Sequence, residues 1–295
     1  MTRTKTLLHV WLTCGMFGSL LEYPLYIALA LQSKFTTITI VYLARRALVC
    51  SLRYFKSDVH SEINIVDLPE PPWFHQSGTP PAMEGKTVST QFIHLVHPHG
   101  MFIETGALYS ANRTYPPNTV LLVAPLLYNM SPLAVPLIEY ITPNLTVSVL
   151  KHTTICDLLK SGHNVIIFAG GLNETIDFND DEESIHVDKY QYWIRMSRQF
   201  STELWTSIAY DGGSRYFSQS AFATDLRLKV AQYKLPIVLP TGIKFPDDQS
   251  PLYVRHVQWD TRKPLAPTQV EEQLLEVIRL DKQWQKATHQ IKSSI

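Results

Sequence analysis

Phe92-Ile93-His94-Leu95-Val96-His97-Pro98-His99-Gly100 is an apolar run that ends in two histidines set around a proline. The run has the composition of a buried strand, in which His94 and His97 would face opposite sides because successive side chains alternate. Pro98 has no N–H and a fixed φ, so regular pairing fails beside it, and Gly100 lets the chain turn. The spacing predicts a helix from about Gly100 through Met101 to Ser110. Its free N–H groups and positive dipole end would then lie beside His99, a place suited to an oxyanion. His99 would stand at an exposed corner, a position from which an imidazole can act as a general base.

Outward from this strand, extended and helical segments alternate. Strands are predicted at Val88–Val96, Thr119–Val123, Leu145–Val149, Asn164–Ala169, Leu204–Ala209, Leu235–Thr241 and Leu252–Gln258, with helices between several of them. That is the α/β pattern. The final helix carries Val270, Leu274, Val277 and Ile278 on one face, with Thr268 and Glu271 in capping-box spacing. A second strand-to-loop junction has a similar design: Asn164-Val165-Ile166-Ile167-Phe168-Ala169 breaks at Gly170-Gly171 and then presents Asn173 and Glu174. Paired glycines permit close approach of a ligand to the backbone, and Glu174 is placed to orient an imidazole or bind a hydroxyl. Taken alone, Gly-Gly-x-x-Glu also describes a plain turn.

The chain has 295 residues, 45% hydrophobic and 18% charged, enough for one large α/β domain and a short appendage. Its 26 basic and 26 acidic residues give no net charge and form no dense basic stripe, which argues against a nucleic-acid partner. Cys14, Cys50 and Cys156 are odd in number and lack CxxC spacing, so neither a disulfide framework nor a zinc ribbon is indicated. The acidic run Asp177–Asp188 lacks EF-hand spacing and reads as a solvated loop.

Leu7–Leu31 holds one carboxylate, Glu22, and no Lys or Arg. About 20 apolar residues suffice to cross a bilayer, so this stretch reads as a retained anchor. Phe35–Ala44 is too short for a straight span and reads as re-entrant or interfacial. Pro24 and Gly18 allow a kink, and a hairpin would return Arg45, Arg46, Arg53 and Lys56 to the side of Arg3 and Lys5. A pair of buried helices in a soluble protein is the alternative, favoured by Glu22, Thr36, Thr37 and Thr39. The expected organisation is a membrane hairpin over 1–56, a proline-rich linker over 57–87 and an α/β domain over 88–295.

Together, His97-Pro98-His99-Gly100 and the strand followed by Gly170-Gly171-x-x-Glu174 resemble the diacylglycerol acyltransferase type 2 family, which includes monoacylglycerol and wax-ester acyltransferases. That family is related to glycerolipid acyltransferases with a His-x4-Asp motif. The likeness covers roughly Phe92–Leu280, with weaker echoes at Asn129–Tyr140, Lys151–Leu159 and Tyr253–Pro264. Two departures stand out. Lys189-Tyr190-Gln191-Tyr192-Trp193 replaces a basic-Gly-Phe stretch, and Glu104 gives a His-x4-Glu spacing where the family often has no acid.

The resemblance implies a glycerolipid-acyltransferase-like mixed sheet flanked by helices. It also implies acyl transfer from acyl-CoA, a co-substrate in a reaction needing no cofactor, to a neutral glycerolipid hydroxyl at a membrane. The place implied is the endoplasmic reticulum membrane, with the catalytic domain cytosolic, or the lipid droplet. His99 would be the base in preference to His97, which would orient the loop, with Glu104 or Glu174 holding the imidazole. Pro98, Gly100, Gly170, Gly171 and Asn173 would shape the substrate site, and Lys151, His152, Lys189 and Arg195 are candidates for the phosphates of CoA. Two other classes stay open: a metallohydrolase using the His97-x-His99 pair with His94 nearby, and a non-catalytic membrane lipid-binding protein. No Gly-x-Ser-x-Gly elbow supports a serine hydrolase.

Overall fold

The computed structural model describes residues 65–67, 91–97, 115–125, 145–171, 189–210, 217–219, 222–232, 240–243, 252–262 and most of 266–283, with scattered positions elsewhere. Its strands are β1 (Ile65–Asp67), β2 (Phe92–His97), β3 (Thr119–Val123), β4 (Thr146–Val149), β5 (Asn164–Phe168), β6 (Glu203–Tyr210), β7 (Phe217–Gln219), β8 (Pro240–Ile243) and β9 (Leu252–Trp259). Seven of them form one sheet in the order β1-β9-β6-β2-β5-β3-β4, and β7 pairs with β8 separately. Strands β2 to β6 are mutually parallel where they pair, whereas β9 runs antiparallel to β6 and parallel to β1. The mixed α/β sheet expected from the sequence is therefore present.

Central strands of such a sheet are covered on both faces and read as unbroken apolar runs. All residues of β2 and of β3 are buried, as are four of the five in β5, whereas edge strand β4 has a single buried residue, Val147. Ile65–Asp67 lies inside the segment expected to be linker, yet it adds to the sheet against β9. The expected strand Leu235–Thr241 overlaps only the start of β8, which joins β7 instead of the main sheet. Pro240 pairs with Gln219 at an irregularity in the ladder, a position that tolerates the missing N–H.

Helices α1 (His152–Lys160), α2 (Tyr190–Phe200) and α3 (Thr224–Ala231) follow, and α4 comprises helical residues between 269 and 281. Three of them pack on one face of the sheet. Ile155 and Leu159 of α1, Tyr190, Trp193 and Ile194 of α2, and Val270, Leu274, Val277 and Ile278 of α4 share a core with Ile93, Leu95, Val165, Ile167, Leu204 and Ile208. Each such large side chain contributes roughly 1.5–3 kcal/mol when removed from water. At the start of α4, Gln269 Oε1 accepts the Ala266 N–H at 3.0 Å, the return half of a capping box. Thr268 and Glu271, which the sequence offered for that role, lie outside the described residues.

The expected anchor Leu7–Leu31 also lies outside the described residues. Among the described residues no helix is long and apolar enough to cross a membrane.

Candidate active site

Strands β2 and β5 are parallel neighbours, in register from Ile93 opposite Val165 to Val96 opposite Phe168. Both therefore end at the same edge of the sheet, and the Ala169 N–H donates to the Val96 carbonyl at 3.0 Å just beyond the ladder. This pairing brings together the two sequence-distant segments singled out above, the strand ending in His97 and the strand ending in Gly170-Gly171. The two glycines have φ of 88° and 63°, the left-handed region that favours glycine. No heavy atom lies within 4 Å of where a Gly171 Cβ would stand. The glycine is required for its backbone conformation, not for want of space.

His97 closes β2 and is fully buried. Its Nε2 lies 3.1 Å from the Tyr190 hydroxyl, which is 3.0 Å from Thr206 Oγ1. The Trp259 indole N–H donates to the same Thr206 oxygen at 2.8 Å. An indole N–H can only donate, so Thr206 accepts from it and its own proton is available to Tyr190; the Tyr190 proton is then available to His97 Nε2. Tyr190 also stacks on His97, with ring centres 5.8 Å apart and planes 21° from parallel. Trp259 meets Tyr190 edge-on at 5.7 Å. His97 is thus fixed in both position and hydrogen bonding by strands β6 and β9 and helix α2.

His94 faces the other side of the sheet, as strand alternation requires. Its Nε2 is 2.6 Å from Ser207 Oγ, which is 2.7 Å from His256 Nδ1. All three residues are buried. A serine hydroxyl has one proton, so the two imidazoles cannot both accept it; one must present an N–H to Oγ. Because His94 and His97 lie on opposite faces, they cannot share a metal ion. Among the described residues no group of three or more His, Cys, Asp or Glu side chains is placed to hold one.

Three of the four proposed phosphate-binding side chains, Lys151, His152 and Lys189, stand at helix starts, and Arg195 lies midway along α2. Lys151 precedes α1 and Lys189 precedes α2, and both are exposed, as are His152 and Arg195. Helix α1 follows the end of β4, so its first turn lies at the sheet edge where β2 and β5 end. His152 Nδ1 lies 2.9 Å from the Tyr192 hydroxyl, which joins the first turns of α1 and α2. Pro98, His99, Gly100, Glu104, Asn173 and Glu174, and the helix expected at Met101–Ser110, lie outside the described residues. A cleft of about 720 Å³ lined by Ser197, Arg198, Glu203, Gln258, Asp260 and Arg262 sits at the opposite edge, near the start of β6. It contains none of the predicted residues.

No family model matches this sequence, and no curated protein matches it. Among solved structures the chain is similar to the 1-acyl-sn-glycerophosphate (LPA) acyltransferase of Thermotoga maritima, with a TM-score of 0.44 and 12% identity over 94% of this chain and 96% of that one. A likeness at that level of identity and superposition says nothing of chemistry.

Sequence reasoning missed the partners of both histidines. Tyr190 had been noted only as part of a departure from a motif, although Tyr190, Trp193, Ile194 and Ser197 have the i, i+3, i+4, i+7 spacing of a buried helix face. Thr206, Ser207, His256 and Trp259 carry no one-dimensional signal, since only the pairing of β6 with β2 and β9 brings them into place.

Proposed function

We propose that this chain is an O-acyltransferase that moves a fatty acyl group from acyl-CoA to a glycerolipid hydroxyl, with diacylglycerol the favoured acceptor and His99 the general base. The observation that carries the reading is the shared edge of β2 and β5, which makes neighbours of the strand that ends at His97 and the strand that leads to Gly170-Gly171. A buried and hydrogen-bonded His97 also fits the division of labour in which His97 anchors and His99 acts.

In this reading His99 takes the hydroxyl proton as the acceptor oxygen attacks the thioester carbonyl. The bond to sulfur then breaks, and the CoA thiolate leaves and takes up the proton. Glu104 or Glu174 holds the imidazole in the useful tautomer and stabilises the imidazolium. Backbone N–H groups at Gly100 or at Gly170 and Gly171 would face the oxyanion, each such donor being worth about 3 kcal/mol. Lys151, Lys189 and Arg195 would meet the phosphates of CoA. The Leu7–Leu31 stretch would hold the domain against the membrane that supplies the acceptor, the endoplasmic reticulum or the lipid droplet surface.

The test is the lipid product. Membranes carrying the chain are given labelled acyl-CoA with diacylglycerol, monoacylglycerol or a long-chain alcohol, and the reading predicts most label in triacylglycerol. Label in wax ester or diacylglycerol instead would reassign the acceptor, and no labelled neutral lipid would remove the activity. Of Glu104→Gln and Glu174→Gln, at least one should lower turnover by about tenfold or more. If neither does, the paired-carboxylate mechanism fails.

A further inference from the structure

Helix α1 and helix α2 together build a second chemical grouping, whose cysteine and tyrosine the acyl-transfer mechanism does not use. Cys156 lies one turn beyond His152 on α1, and its Sγ is 3.6 Å from His152 Nε2. The other ring nitrogen, Nδ1, lies 2.9 Å from the Tyr192 hydroxyl of α2, and the two rings meet nearly edge-on, with centres 5.9 Å apart. Cys156 is a free thiol, half-buried against the core, whereas His152 is exposed. The grouping is therefore open to a reagent on one side and held rigid on the other.

The order of atoms is that of an activated nucleophile: a sulfur, a base within hydrogen-bond reach of it, and a third group that orients the base. If Nδ1–H donates to the Tyr192 oxygen, Nε2 presents a lone pair to the thiol. That bond needs only a lone pair on the phenol oxygen. Burial pushes Tyr192 above the ordinary tyrosine range, and the neighbouring Cys156 adds to the effect, while Arg195 works against it. A neutral phenol oxygen has a lone pair to accept from Nδ1–H both before and after the imidazole takes the thiol proton.

We infer that Cys156 is a site of covalent S-acylation, with His152 as its base and Tyr192 as the residue that orients the base, and that the acyl group comes from an acyl thioester. This rests on the reading of the chain as a user of acyl-CoA. The Cys156 sulfur attacks the thioester carbonyl while His152 Nε2 takes its proton. A new sulfur–acyl bond forms, the donor's sulfur–acyl bond breaks, and the proton passes from His152 to the departing thiolate. Nothing is oxidised or reduced. The donor is already at hand in this reading, since Lys151 is the residue next to His152 and is a candidate for its phosphates; a bound donor reacts as though at high local concentration.

The experiment uses the full chain in membranes with labelled palmitoyl-CoA. It reads the acyl mass on each cysteine peptide, its release by neutral hydroxylamine, and neutral-lipid label in the same sample. The expected result is a hydroxylamine-labile acyl group on Cys156, with His152→Ala lowering its rate of formation by about tenfold or more. Tyr192→Phe keeps the ring and its packing and should lower the rate about two- to fivefold, which guards against a His152 variant that fails to fold. Acyl mass absent from Cys156, or formed at an unchanged rate in both variants, overturns the inference. Neutral lipid formed without a Cys156 thioester sinks this inference alone. A Cys156 thioester without any neutral lipid sinks the proposed O-acyl transfer and leaves the inference standing, and loss of both signals rejects both.

Discussion

Tyr190 occupies the middle of a chain of buried hydrogen bonds, and its hydroxyl is the part of it most easily removed without disturbing shape. Tyr190→Phe keeps the stack on His97 and the edge contact with Trp259 but leaves Thr206 and His97 Nε2 facing a gap. A buried polar group deprived of its partner costs about 1–3 kcal/mol. We expect the variant to fold, to lose stability by about that amount in a urea melt, and to lose several-fold in turnover with little change in KM, because in the proposed mechanism His97 positions the segment carrying the base. Unchanged turnover would detach His97 from the site. The two faces of His94 and His97 were legible from strand alternation alone. Their partners were not, because Tyr190, Ser207 and His256 are about 90 to 160 residues further along and become neighbours only through pairing and helix packing.

The strands were legible where burial makes them uniform. Thr119–Val123 appears as read, and β4, β5, β6 and β9 differ by a residue or so at their ends. Their Val, Ile and Leu runs suit a sheet covered on both faces. Strand β8 shows where that reasoning stops: an apolar run before a proline looks like a core strand, whereas Pro240 belongs to a separate two-stranded ribbon. The face of α4 was also legible, since Val270, Leu274, Val277 and Ile278 are all buried. What ties that helix to β9 was not. Arg255 Nε donates to Asp281 Oδ2 at 3.0 Å, and Arg255 Nη2 donates to Asp281 Oδ1, with both side chains nearly inaccessible to solvent. Removing one partner of such a pair leaves a charge in a poorly solvated place. Asp281→Ala should therefore cost about 3–5 kcal/mol, read as a lowered midpoint of chemical denaturation with an unchanged slope. A loss below about 1 kcal/mol would show that the pair is no fastening for α4.

Across the protein as a whole, the α/β class was legible from alternating segments, and the sheet then joined the two strands that lead into the motifs, which the sequence could only place side by side on paper. Ala169 beside Val96 is the point of contact. Lys151 and Lys189 stand at the starts of α1 and α2, linked by the bond from His152 to Tyr192, and they add cationic side chains to the edge where the proposed donor's phosphates would lie. Balanced charge, 26 basic against 26 acidic residues, fits the proposed neutral-lipid acceptor. The order of that edge makes His99, two residues beyond the anchored His97, the residue on which the reading turns. The most direct measurement is therefore the rate of labelled acyl-CoA incorporation into neutral lipid by the parent chain and by His99→Ala, with equal amounts of each protein confirmed in the membrane. The expected result is loss of incorporation in the variant, by about a hundredfold or more, with its melting temperature preserved. Incorporation near the parent rate would remove His99 from the chemistry and, with it, the proposed mechanism.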